Sequence, residues 1–126
     1  MSENVECRAA DVASTDAAAP DLPYRPRDPK RYRPAIGLIG CGGIAPSHLT
    51  AYKKAGYRVA VLCDLVPEKA AKLRKAFYPR AAVTTDWREV VARPDIEVVD
   101  LAVHPHDRVP LIKGVLEAGK HVLSQK

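Results

Sequence analysis

Aromatic side chains are scarce, 6% of the 126 residues, with one tryptophan, Trp87, and one phenylalanine, Phe77. Any core must therefore be aliphatic and alanine-rich, and at 47% hydrophobic that composition suits parallel strands covered by helices. Cysteine is equally thin. Cys7, Cys41 and Cys63 are odd in number and form no C-x-x-C pair, which speaks against a disulfide framework and against a zinc site. No apolar stretch approaches the roughly 20 residues that span a bilayer, and the polar, acidic N-terminus has no signal-peptide apolar core. The expected location is the cytoplasm. No internal repeat is present.

The net charge of +5 is unevenly placed. Residues 1–21 hold five acids against one arginine, whereas residues 22–34 hold Arg25, Arg27, Lys30, Arg31 and Arg33 against Asp28 alone. A basic patch could attract anions, but a solvated linker explains the same residues, and nucleic acid is not an expected partner. The first 34 residues also carry five of the eleven prolines and no hydrophobic period. Residues 1–33 are expected to be a disordered arm, leaving 34–126 as one domain, large enough for a core.

From Pro34 onward strand-like and helix-like patterns alternate, the signature of βαβ units. Strands are expected at about 35–40, 58–64, 82–85, 96–103 and 121–124. Helices are expected from about Ile44 to Ala55, stopped by Gly56, from Pro67, after Asp86, and from about Arg108 to Ala118, closed by Gly119. Asp86 and Glu89 fit the two positions of a capping box. Right-handed crossovers then give a Rossmann-type doubly wound parallel α/β sheet ordered 3-2-1-4-5, with a cleft above strands one and four.

The most informative segment is Gly37-Leu38-Ile39-Gly40-Cys41-Gly42-Gly43-Ile44-Ala45, followed by Asp64 at the end of the next apolar run. Gly40 lets the chain turn off the strand, and Gly42 admits the backbone to a pyrophosphate without a Cβ in the way. Ala45 is small enough for close helix packing, and the helix start would aim N–H groups at phosphates. Asp64 would accept hydrogen bonds from a ribose and repel a 2′-phosphate, which favours NAD over NADP. Cys41 reads as a small filler, with a reactive thiol as the alternative because helix N-termini depress thiol pKa values.

Three further positions bear on chemistry. His104-Pro105-His106-Asp107 falls on the same rim as the glycine loop; it reads as a cofactor-facing loop, with a metal site or a plain surface turn as alternatives. Lys126, directly after the fifth strand, could polarise a substrate hydroxyl or carbonyl, or be a free terminal lysine. His48 and Tyr52, four apart on the first helix, read as packing or surface residues, and Asp100, alone in an apolar strand, has no explanation in the sequence.

Residues 34–126 resemble the N-terminal half of the glucose-fructose oxidoreductase/inositol dehydrogenase/rhizopine-catabolism (Gfo/Idh/MocA) family. The resemblance rests on the glycine segment, on Asp64, on Pro105, and on Leu116-Glu117-Ala118-Gly119-Lys120-His121-Val122-Leu123-Ser124-Gln125-Lys126, which is similar to the run into that family's Glu-Lys-Pro motif. It implies a nicotinamide-dependent dehydrogenase acting on a sugar, cyclitol or related alcohol by hydride transfer. It places the ribose-binding acid at Asp64, the substrate-holding lysine at Lys126, and cofactor contacts at Gly40, Gly42, Gly43, Ile44, His104, Pro105 and Gln125. No metal is implied. Gln125 stands where the family has glutamate, and His104 where a threonine or similar small residue is common.

Family members add a second, mostly β-sheet domain carrying substrate contacts. The expected reading is thus the NAD-binding domain, a fragment or truncated product, binding a nicotinamide dinucleotide but hardly turning over alone. Its partners would be the dinucleotide and, in the full-length protein, a polyol or sugar, with a homo-oligomer also open. Two alternatives are a non-catalytic nucleotide-sensing module and a small metal-dependent hydrolase built on His104 and His106.

Overall fold

A computed structural model describes residues 15–125. Nine elements alternate along it: β1 (Ala35–Ile39), α1 (Ala45–Ala55), β2 (Val59–Cys63), α2 (Pro67–Phe77), β3 (Ala82–Thr84), α3 (Trp87–Ala92), β4 (Ile96–Leu101), α4 (Pro105–Glu117) and β5 (His121–Ser124). The strands form one parallel sheet in the order β3-β2-β1-β4-β5, the order expected from the sequence.

β1 and β2 are buried at every position, because helices cover both faces. On one face α1 and α2 pack Ala45, Leu49, Ala70 and Leu73 against Ile36, Leu38 and Leu62. On the other, Val90 of α3 and Val115 of α4 pack against Ile39, Val99 and Leu101. Leu38, Leu49, Leu62 and Leu101 are fully buried, each contributing about 1.5–3 kcal/mol relative to exposure. Trp87 fits because Gly114 lacks a side chain; a Cβ there would come within 2.4 Å of the indole.

Residues 15–34 form no helix or strand and are exposed up to Arg33. Arg33 nevertheless reaches the domain, where its guanidinium donates to the Ala55 carbonyl at 2.8 Å and lies over the Tyr57 ring. Gly56, at φ 78°, ends α1 as expected.

Several expectations are corrected. β4 stops at Leu101, since Ala102 makes the last bridge, donating to the Ile39 carbonyl at 2.8 Å before the chain turns away. α4 starts at Pro105 rather than Arg108, because a proline in the first turn gives up an N–H that has no intrahelical partner anyway. His106 and Asp107 are therefore helical residues. The capping box is only half made: Asp86 accepts from the Arg88 amide at 3.0 Å, while the Glu89 carboxylate takes a hydrogen bond from the Thr84 hydroxyl. His48 and Tyr52 turn inward to Asp100, which supplies the partner that the sequence did not reveal.

Candidate functional site

The site is assembled where β1, β2 and β4 end together. Gly40 adopts φ 100°, and a Cβ on it would lie 2.4 Å from the Ala102 carbonyl oxygen, so neither the conformation nor the space tolerates a side chain. Its amide donates to the Cys63 carbonyl at 2.8 Å, which ties β1 to β2 at the same point. Gly42 and Gly43 differ, since a Cβ on either would meet nothing within 4 Å. Their lack of a side chain serves open space rather than packing.

The amides of Gly42, Gly43 and Ile44 have no hydrogen-bond partner among the described residues. Ile44, the N-cap of α1, makes no side-chain cap bond, and the first turn carries no acid. Unpaired amides at an uncapped helix start suit an anion. Such a cradle fits a pyrophosphate.

Asp64 follows β2, and its two carboxylate oxygens accept backbone N–H groups from opposite sides, Cys41 to Oδ2 at 2.8 Å and Val66 to Oδ1 at 2.8 Å. It therefore splints the glycine loop to the turn that starts α2. A carboxylate offers about four lone-pair positions, so two remain for a ribose diol. Asp64 lies between a structural and a ligand-binding role and can fill both.

Gly40, Gly42 and Asp64 line a cavity of about 560 Å³, together with Trp87, His104 and His106. Its floor is apolar. Leu65 and Val66 are 88% and 42% exposed at one end, an apolar pair in a turn where polar residues are usual. Lys69 and Trp87 also line the cavity; sequence reasoning passed over both, although a lone tryptophan just past a strand end could have drawn attention.

His104 and His106 are exposed with rings stacked, centroids 5.9 Å apart and planes within 8°, and His106 pairs with Asp107 at 3.1 Å. Among the described residues no group of three or more histidine, cysteine, aspartate or glutamate side chains is placed to hold a metal ion. Pro105 opens α4, while Ile44 and Gln125 are exposed and do not line the cavity. Lys126 lies outside the described residues, as does Cys7. The Cys41 thiol is pushed up to about 12 by burial first and by the Asp64 charge second, so the reactive-thiol alternative fails at this position.

Residues 35–126 match the family described as "Oxidoreductase family, NAD-binding Rossmann fold" (Gfo/Idh/MocA). The chain is 32% identical over 100 residues to a levoglucosan dehydrogenase of Pseudarthrobacter phenanthrenivorans, covering 72% of this chain and 25% of the relative. It is 30% identical over 93 residues to an inositol 2-dehydrogenase/D-chiro-inositol 3-dehydrogenase of Lactiplantibacillus plantarum, covering 72% and 27%. A solved levoglucosan dehydrogenase in complex with NADH superposes with a TM-score of 0.68 at 31% identity, over 75% of this chain and 28% of that one. The chain thus spans about a quarter of the length of these relatives.

Proposed function

The chain belongs to the Gfo/Idh/MocA oxidoreductase family, and from that premise we propose that residues 34–126 hold the cofactor of an enzyme moving a hydride between a nicotinamide and a sugar, cyclitol or related alcohol. The observation that carries this reading is one cavity lined by a side-chain-free Gly40, by Gly42 and by a splinted Asp64, with the unpaired amides of Gly42, Gly43 and Ile44 following in the loop at its edge. The amides of Gly42, Gly43 and Ile44 take the pyrophosphate. Asp64 takes the ribose, and its charge disfavours a 2′-phosphate. Leu65 and Val66 offer apolar contact to the adenine.

At the other end His104 and Pro105 face the nicotinamide, with Gln125 approaching from β5. Lys126 polarises the substrate oxygen and accepts its proton. When bound, the cofactor supplies the hydride acceptor, and the protein's share is holding and orientation. The setting is cytoplasmic, and the partners are the dinucleotide, a small polyol and further copies of the chain, without nucleic acid or membrane.

Titration with NADH tests this directly. Trp87 is the sole tryptophan and lines the cavity, so bound NADH should quench its emission by energy transfer. Saturable quenching at sub-millimolar NADH, with weaker binding of NADPH, is the expected result. No quenching at millimolar NADH would overturn the reading.

A further inference from the structure

Asp100 is the one charged side chain buried among the described residues, at 1% exposure. It sits on β4 beside Leu38 of β1 and two residues before Ala102, whose carbonyl abuts Gly40. Its Oδ2 accepts both the Tyr52 hydroxyl at 2.6 Å and His48 Nδ1 at 2.7 Å, while its Oδ1 has no partner. His48 stands one turn into α1, three residues after Ala45.

A buried carboxylate with one oxygen left bare is a poor stabiliser, since desolvation is costly and an apolar residue of similar volume often does as well or better. What the trio supplies is direction. The fully buried apolar side chains of α1 are Ala45 and Leu49, with the Tyr52 ring packed beside them, and apolar contacts alone tolerate sliding and rotation. Two short hydrogen bonds from successive turns of α1 to a single oxygen on β4 fix both. The unpaired amides at the head of α1 move with that helix, so their position over Gly40 depends on how α1 is seated.

We propose that Asp100 is a positioning residue for the cofactor: with His48 and Tyr52 it locks α1 onto β4 and so holds the glycine-loop amides where a pyrophosphate meets them. The proposal rests on the cofactor reading above and adds the residues that preset its geometry. None of the three lines the cavity, so each acts through α1.

The test uses the whole chain and compares Asp100→Leu with Asp100→Asn, and His48→Ala with His48→Asn. NADH Kd is read from Trp87 quenching well below each variant's unfolding temperature, and Tm is recorded beside it. Asp100→Leu should keep or raise Tm yet raise Kd by about threefold to tenfold, a separation that a merely stabilising role does not give. Asp100→Asn retains the accepting oxygen and should bind as the wild type does. His48→Asn keeps a donor near the Nδ1 position and should recover most of the affinity lost in His48→Ala. Unchanged Kd in Asp100→Leu overturns the inference while leaving the cofactor reading intact. Should that variant not fold, the histidine pair decides: equal Kd values for His48→Ala and His48→Asn overturn it. Wild-type protein that binds no NADH overturns the reading and the inference together.

Discussion

The two ends of the cavity are built differently. At the β1–β2 end the chain is cross-tied by Gly40 to Cys63, by Asp64 to both Cys41 and Val66, and by a glycine that admits no Cβ. At the β4–β5 end, His104, His106 and Gln125 are exposed, the two histidine rings stack on each other, and His106 pairs with the exposed Asp107. The first end is preorganised and loses little further freedom on binding; the second is left adjustable. On the proposed reading, the half that would grip the dinucleotide is the cross-tied one, and the half that would meet the substrate is the exposed one.

Substitutions can break or sharpen this contrast. The largest effect is expected at Gly40: Gly40→Ala places a Cβ against backbone in a left-handed conformation and should cost at least about 3 kcal/mol in denaturant unfolding. Gly43→Ala meets open space and should cost under about 1 kcal/mol. Equal losses would show that the loop's glycines do not divide into packing and ligand-facing kinds. Next comes Asp64→Ala, which leaves two amides without their acceptor. It should raise the NADH Kd about tenfold or more and narrow the preference over NADPH, both read by titration.

Thiol reactivity is a smaller effect. Burial raises Cys41 to about 12 and Cys63 to about 11, so both remain protonated at about pH 8. In a Cys7→Ser protein, a thiol reagent at that pH should label only as the chain unfolds, and rapid labelling of the native state would contradict a tightly closed first end. The smallest effect is expected at the adjustable end. His104→Thr and His106→Ala should each shift stability by less than about 0.5 kcal/mol, since both side chains are exposed. A larger loss would mean that this end is structural after all.

Strand order, helix count and the glycine turn were legible because they depend on local signals: continuous apolar runs for doubly covered strands, glycine at helix ends, and one rule of handedness. The start of α4 was not, because a proline a few residues past a strand reads equally as loop or as a first helical turn. The role of Asp100 was harder still. Helical spacing puts His48 and Tyr52 on one face, but what that face meets lies 52 and 48 residues further along. The second duty of Asp64 was hidden for the same reason, since its bond to Cys41 joins the ends of two neighbouring strands. Glu89 shows the limit of short motifs: a nearby hydroxyl competed for the carboxylate, and Asp86 caps α3 alone.

Arg33 carries a consequence for where this domain can be cut. Its guanidinium occupies the Ala55 carbonyl in the last turn of α1, although it precedes the first residue of the sheet. A polypeptide begun at Ala35 would keep every strand and helix but expose that carbonyl to fraying. Amide hydrogen exchange at the close of α1 would quicken, while the exchange-resistant centre of the sheet stayed as it was.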